Sequence, residues 1–161
     1  MNLPANFPPL CEILDAADRP ICLMDYEEAK SQGLRHRAYA TLLWHPPFYI
    51  LRRKAEGFGF FCHSFLKPDQ TAEEAAECAI AGCFGGIDVT CSSLGWLPPA
   101  PETGNALTAF CLARIPRRLA LELFGEARAW LSATREELLA LKDEGLYEPL
   151  FSHLISADRL V

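Results

Sequence analysis

No run of apolar residues in this 161-residue chain approaches the roughly 18 residues that a membrane-spanning helix requires. The N-terminal residues also lack the charged stretch followed by an apolar stretch that marks a secretory signal. Half of the residues are apolar and 22% are charged, an ordinary composition for a globular protein. We therefore expect one domain, residues 1–161, in the cytoplasm and without membrane contact. Three prolines within residues 1–9 predict an extended N-terminal arm.

The chain also lacks the cysteine spacing of a zinc site. It has seven cysteines, an odd number, and none of the close C-x2-C pairs that such a site requires. In a cytoplasmic protein the default for these residues is a reduced thiol that packs as a small apolar side chain. A thiol or redox function stays open as an alternative, because Cys78, Cys83 and Cys91 lie close together in the sequence and Cys62 precedes His63.

Acidic residues are absent from residues 29–55, although the protein carries a net charge of −6. A net negative charge argues against a nucleic-acid surface, which needs many cations to neutralise phosphates. Basic side chains that extend from strand ends into water would explain the acid-free stretch. The functional alternative is a binding site for an anionic small molecule.

Carboxylates are missing from the second half of a predicted helix as well. Thr71 and Glu74 have the spacing of a capping box, in which each side chain accepts a hydrogen bond from the other residue's backbone. Apolar residues follow at helical spacing, and Gly85 ends the helix. No Asp or Glu occurs between Glu77 and Asp88.

Strand-like segments precede and follow this helix. We predict strands over residues 11–15, 20–24, 36–44, 48–54, 58–66, 88–96 and 106–115, and helices over residues 25–32, 132–142 and 147–155. Strands in the middle of the chain with helices beside them favour an α/β/α sandwich around a mixed β-sheet. Residues 117–124 fit either a helix or an irregular segment.

The order of these segments from about Cys11 to about Leu154 resembles the Nudix hydrolases, and most closely the bacterial branch related to isopentenyl-diphosphate isomerase. The resemblance rests on residues 33–38, 49–53, 68–85 and 129–138, which match successive motifs of that branch. It implies the Nudix α/β/α sandwich and hydrolysis of nucleoside or other diphosphates with Mg²⁺ as the cofactor.

The family's Nudix box, G-x5-E-x7-R-E-U-x-E-E-x-G-U with U a bulky aliphatic residue, is degenerate in this chain. Aligned on Gly85, it retains only Ile80 and Gly85. Its charged positions fall on Gln70, Cys78, Ala79, Gly82 and Cys83. Mg²⁺ prefers oxygen ligands and a thiolate suits it poorly. We therefore predict that hydrolysis has been lost, that no cofactor is bound, and that the protein binds a phosphorylated metabolite or a partner.

Two further expectations follow from the small side chains on this helix. If hydrolysis persists, the replacement metal ligands would be Glu73, Glu77 and Glu102, although capping and compensation of the helix dipole are the favoured explanation of the first two. A face of small apolar residues should pack closely against its neighbours, so Cys83 is predicted to be buried.

The resemblance also suggests ligand-binding candidates. It places Arg37 and Arg53 near the former diphosphate pocket, where guanidinium groups would grip phosphate oxygens with paired hydrogen bonds. His36 matches a metal-ligand histidine of the isomerase, and His63 falls on that enzyme's catalytic cysteine position. The isomerase's paired glutamates fall near Thr103 and Asn105, so most of its metal ligands are missing and we do not expect isomerase activity. His36 also suits a structural role as a hydrogen-bonded side chain at the start of a strand.

Overall fold

A computed structural model describes residues 8–160 of the chain. Its strands are β1 (Leu10–Leu14), β2 (Pro20–Asp25), β3 (His36–His45), β4 (Phe48–Lys54), β5 (Gly57–Gly59), β6 (Cys62–Phe65), β7 (Thr90–Leu97), β8 (Ala106–Arg114) and β9 (Trp130–Ala133). Its helices are α1 (Tyr26–Ser31), α2 (Ala72–Phe84), α3 (Arg117–Phe124), α4 (Arg135–Ala140) and α5 (Pro149–Ser156), with a 3₁₀ turn at Pro101–Thr103. No helix in this part of the chain is long and apolar enough to cross a membrane. The predicted arm lies almost wholly outside the described residues.

The strand at the centre of the sheet is β3. Along one edge it pairs in parallel with β8 over its whole length up to Trp44. Along the other edge it pairs antiparallel with β1, β6 and β4 in turn. The sheet continues from β1 to β2, from β8 to β7, and from β4 to β5 and β9. The sheet is therefore mixed, as predicted.

Alternate residues of β3 face two different layers of helices. Ala40 and Leu42 belong to a buried cluster that includes Phe151 and Leu154 of α5. Tyr39, on the opposite face, packs with Ala72 and other residues of α2. The protein is an α/β/α sandwich, and the predicted fold class is confirmed.

The predicted single strand over residues 58–66 was wrong. The strand is interrupted at Phe60 and Phe61. The part before the interruption, β5, pairs with β4, whereas the part after it, β6, pairs with β3. The break has a physical cause, because the backbone N–H of Phe60 donates to the carboxylate of Glu148 at 2.7 Å instead of to a neighbouring strand. Residues 117–124, which the sequence left open, form α3.

The helix that carries the Nudix box positions begins as predicted. The Thr71 hydroxyl accepts the N–H of Glu74 at 3.1 Å, and the Glu74 carboxylate accepts the N–H of Thr71 at 3.0 Å. Both halves of the capping box are therefore present. The buried side of α2 consists of Ala72, Ala75, Ala76 and Ile80, which share one helix face because they lie three or four residues apart.

Candidate functional site

Most of the charged positions of the Nudix box that fall on α2 are exposed, whereas the retained Ile80 lies on the buried side of the helix. Cys78, Gly82 and Cys83 are exposed, and Ala79 is half-buried. The predicted burial of Cys83 was wrong, because the alanine face of α2 covers the sheet and turns Cys83 towards an open groove of about 520 Å³. The groove is also lined by Phe84, Ile87, Pro116, Arg118, Leu119 and Glu122. The exposed face of the second half of α2 offers no carboxylate to a metal ion.

The three replacement metal ligands lie on two sides of the sheet. Glu73 and Glu77 are one turn apart on α2 and lie close enough to Cys91 of β7 to help raise its pKa to about 11, although burial of the thiol is the larger cause. Glu102 belongs to the 3₁₀ turn, which contacts α5 on the opposite face. Among residues 8–160, no three His, Cys, Asp or Glu side chains are grouped so that they could hold a metal ion.

The structure does not bring the two candidate arginines together. Arg37 forms an ion pair with Glu12 of β1 at 3.0 Å, whereas the guanidinium of Arg53 lies 5.0 Å from the centre of the Phe58 ring. Successive residues of a strand face opposite sides of the sheet. Arg37 therefore lies on the α2 side, together with Tyr39 of β3, and Arg53 lies on the α5 side, together with Leu51 of β4. Gln70, the remaining box position, only accepts the N–H of Lys67 within its own loop, at 3.2 Å.

Several of the residues singled out in the sequence meet elsewhere, in a cavity of about 260 Å³ that we call the histidine pocket. It is lined by Tyr26, Lys30, His36, Ala38, His63, Ser64, Thr103 and Gly104. These residues come from α1, the first residues of β3, β6 and the 3₁₀ turn. None of them carries a carboxylate.

Hydrogen bonds hold the walls of the histidine pocket in place. The pairing of β3 with β6 sets His63 opposite Ala40. The side-chain amide of Asn105 donates to the carbonyl of Gly33 at 2.8 Å, which ties the 3₁₀ turn to the end of α1. The Thr103 hydroxyl donates to the carbonyl of Ala100 at 2.9 Å and closes the turn itself. The cavity is therefore shaped by hydrogen bonds on the side of the 3₁₀ turn.

His36 is buried on the floor of the pocket, where Tyr26 meets its ring edge-on at 5.7 Å between centroids. Its Nδ1 lies 2.9 Å from the carbonyl oxygen of Leu34. A carbonyl only accepts hydrogen bonds, so Nδ1 carries the hydrogen and Nε2 of the neutral ring is an acceptor. This bond is the backbone partner that a structural histidine needs. It leaves Nε2 without a hydrogen-bond partner within residues 8–160.

His63 lies at the mouth of the pocket and is exposed to solvent. Its pKa is lowered to about 4, chiefly by partial loss of water around the ring and then by electrostatic interaction with Lys54, His36 and Lys30. At neutral pH His63 is therefore uncharged, and Lys30 supplies the positive charge of the lining.

Sequence reasoning singled out the acid-free stretch that contains Lys30 and His36, but not the pocket they form. His63 was noted only for its alignment with the isomerase cysteine, and Tyr26 and Ser64 carried no signal. The neighbouring ion pair joins Lys54 to Glu148 at 3.0 Å. These two residues lie 94 positions apart in the sequence, and no local pattern connects them.

No protein-family model matches the sequence, and no curated protein is significantly similar to it. Among solved structures, DR0079 from Deinococcus radiodurans superposes with a TM-score of 0.64 at 13% identity, over 92% of this chain and 97% of that protein. Tm1382, a candidate Nudix hydrolase, superposes with a TM-score of 0.52 at 12% identity, over 93% of this chain and 89% of the Tm1382 chain. An ADP-ribose pyrophosphatase from Streptococcus suis superposes over only 48% of this chain and 58% of that protein, with a TM-score of 0.39 at 12% identity. This match is too partial to define a fold. The chain therefore has a Nudix-like fold.

Proposed function

We propose that this Nudix-fold protein has lost metal-dependent diphosphate hydrolysis and binds a small anionic ligand, of the phosphorylated-metabolite class, in the histidine pocket. The observation that supports it is a contrast between two places in the fold. The exposed face of α2 carries Cys78, Gly82 and Cys83 where oxygen ligands would be needed. The histidine pocket instead gathers basic and hydroxyl-bearing side chains without any carboxylate.

Hydrolysis of a diphosphate needs its charge to be neutralised while water attacks, and in metal-dependent enzymes the bound cation supplies most of that stabilisation. Glycine has no side chain to coordinate Mg²⁺, and the soft sulfur of cysteine is a poor ligand for it. Glu73 lies in the first turn of α2, where its charge compensates the helix dipole, and Glu77 lies in the next turn. These features support the loss of the metal-dependent reaction.

The first test is hydrolysis itself. With Mg²⁺ or Mn²⁺ present, we expect no release of phosphate or of a monophosphate product from nucleoside, sugar or isoprenoid diphosphates, because no side chain positions the cation. The measurement is a phosphate-release assay with and without chelator. Turnover at ordinary enzyme rates that chelator abolishes would contradict the proposal, and Glu73→Gln and Glu77→Gln would then show whether those carboxylates hold the metal.

The second test is binding, measured as a thermal shift with inorganic phosphate, pyrophosphate, sugar phosphates and nucleotides. A ligand at a hundredfold excess over its Kd stabilises the protein by about 2.7 kcal/mol, or about 5–10 °C for a chain of this length. We expect Lys30→Ala to reduce the shift, because it removes the cation of the pocket lining. The matched control is Lys67→Ala, an exposed lysine outside the pocket.

Two results would argue against the pocket. The first is that no anion raises the melting temperature. The second is that an anion raises the melting temperatures of Lys30→Ala and Lys67→Ala by the same amount. Arg37→Ala and Arg53→Ala belong in the same series, since a loss of the shift in either would move the anion site from the histidine pocket to that arginine. Each arginine already has a partner, Glu12 for Arg37 and the Phe58 ring for Arg53.

The structure offers less to a thiol-based function. Burial raises the pKa of Cys111 to about 12 and that of Cys91 to about 11. A thiol with a raised pKa is a poor nucleophile, because the thiolate is the reactive form. Within residues 8–160, all seven cysteines are free thiols. Binding of an anion therefore remains the better supported proposal.

A further inference from the structure

The charged groups around His63 are almost all positive. A positive charge on His63 is disfavoured by three basic residues on three different elements, namely Lys30 of α1, His36 of β3 and Lys54 of β4. The carboxylate of Glu148, the residue that immediately precedes α5, is engaged by Lys54 at 3.0 Å and by the N–H of Phe60 at 2.7 Å. The remaining polar groups of the pocket are the uncharged side chains of Tyr26, Ser64 and Thr103. His63 therefore has no negative partner among the residues that line the pocket.

The pocket is small. Its volume of about 260 Å³ has room for about nine water molecules at about 30 Å³ each, and it lies below the usual range for drug-sized ligands. A phosphate group with a few carbon atoms fits this space. A nucleotide could place only its phosphate inside, and its base would remain in solvent.

A doubly charged anion in this space would reverse the electrostatic balance at His63. An opposite charge within about 4–6 Å favours the protonated imidazole, and the protonated ring donates a hydrogen bond from each nitrogen. The imidazolium would then be stabilised by the ligand that the neighbouring cations also attract. A free energy that couples a proton to a ligand acts equally in both directions.

We propose that the histidine pocket binds a small dianion of the phosphate-monoester class together with one proton, which His63 takes up. This inference rests on the proposed function, because it describes how the same pocket binds its ligand. It makes anion affinity depend on pH, with tighter binding as the pH falls. Lys30 of the pocket lining attracts the ligand, and His63 adjusts its charge to it.

The experiment is an NMR titration of the imidazole signals of the full chain, without ligand and with saturating sulfate. Sulfate is the probe because it stays fully ionised throughout the titration, so any added proton belongs to the protein. We expect the pKa of His63 to rise from about 4 to about 6 or higher. The affinity for sulfate would then be about tenfold tighter at about pH 5 than at about pH 7. His45 and His153 lie outside the pocket and serve as internal controls.

The variant His63→Gln keeps a hydrogen-bonding side chain but cannot titrate. We expect it to bind sulfate with an affinity that no longer changes between the two pH values. If sulfate binds with the pKa of His63 unchanged, or if the pH dependence survives in His63→Gln, proton uptake by His63 is refuted while anion binding stands. If neither sulfate nor phosphate binds at either pH, the pocket is not an anion site and both proposals fail.

Discussion

Gly59→Ala is expected to destabilise the protein by about 3–5 kcal/mol, because a methyl group at this position would overlap the carboxylate of Glu148. That carboxylate is nearly buried, accepts the N–H of Phe60 at 2.7 Å and pairs with Lys54 at 3.0 Å. If the methyl group displaces it, a buried N–H and a partly buried ammonium both lose their partner. Gly59 has an ordinary backbone conformation, so the loss would come from space alone.

The measurement is denaturant unfolding, and the chain contains a matched control. A methyl group at Gly82 would meet no atom within 4 Å, and Gly82 lies inside α2. Gly82→Ala should therefore stabilise the protein by up to about 1 kcal/mol, since alanine is the better helix former. The double variant Gly59→Ala/Glu148→Ala should lose less stability than the sum of its single changes, because Glu148→Ala opens the space that the methyl group needs. A Gly59→Ala protein as stable as its parent would show that the carboxylate can move aside freely, and additive losses would show that the methyl group does not act through Glu148.

Contacts between residues that are close in the sequence could be predicted, whereas the contact beside Gly59 could not. The capping box of Thr71 and Glu74 spans three residues and needs nothing from the rest of the fold, so its prediction was confirmed in both hydrogen bonds. Glu148 meets Phe60 across 88 residues. The sequence around Gly59 therefore gave no sign that the strand would break there.

The same limit explains the error at Cys83. An apolar stripe with helical spacing identifies a helix and its buried side, but Cys83 lies three residues after Ile80 in the last turn of α2, and its side chain is exposed. Whether such a side chain is covered depends on the neighbouring groove, which Pro116 and Leu119 of a distant segment line but leave open. Burial at the end of a helix is a tertiary property.

For the candidate site, the sequence located the basic stretch but could not show on which face of the sheet each basic side chain lies. Arg37 and Arg53 lie on strands that are neighbours, yet their side chains emerge on opposite faces. The parity of a residue within its strand determines its face, and strand register could not be read without the structure. Lys30 and His63 come together only because α1 and β6 both approach the beginning of β3.

Phe151→Ala is expected to destabilise the protein by about 3–5 kcal/mol, the usual result of removing a large buried aromatic ring. Phe151 is fully buried under the sheet. Its ring meets Phe60 edge-on at 5.7 Å and Tyr147 at 5.0 Å, arrangements that add to the effect of burial alone. For a chain of this length the melting temperature should fall by about 6–20 °C.

The control for Phe151→Ala is Leu121→Ala on α3, whose side chain is exposed and should change stability by less than about 0.5 kcal/mol. The variant also tests how α5 is held, because Phe151 packs against Phe60 while Glu148 binds the N–H of Phe60. Two changes that act on the same neighbour should not be additive, so Phe151→Ala combined with Glu148→Ala should lose less stability than the sum of the two. If instead the losses add fully, the aromatic contact and the buried carboxylate hold α5 to the sheet independently of each other.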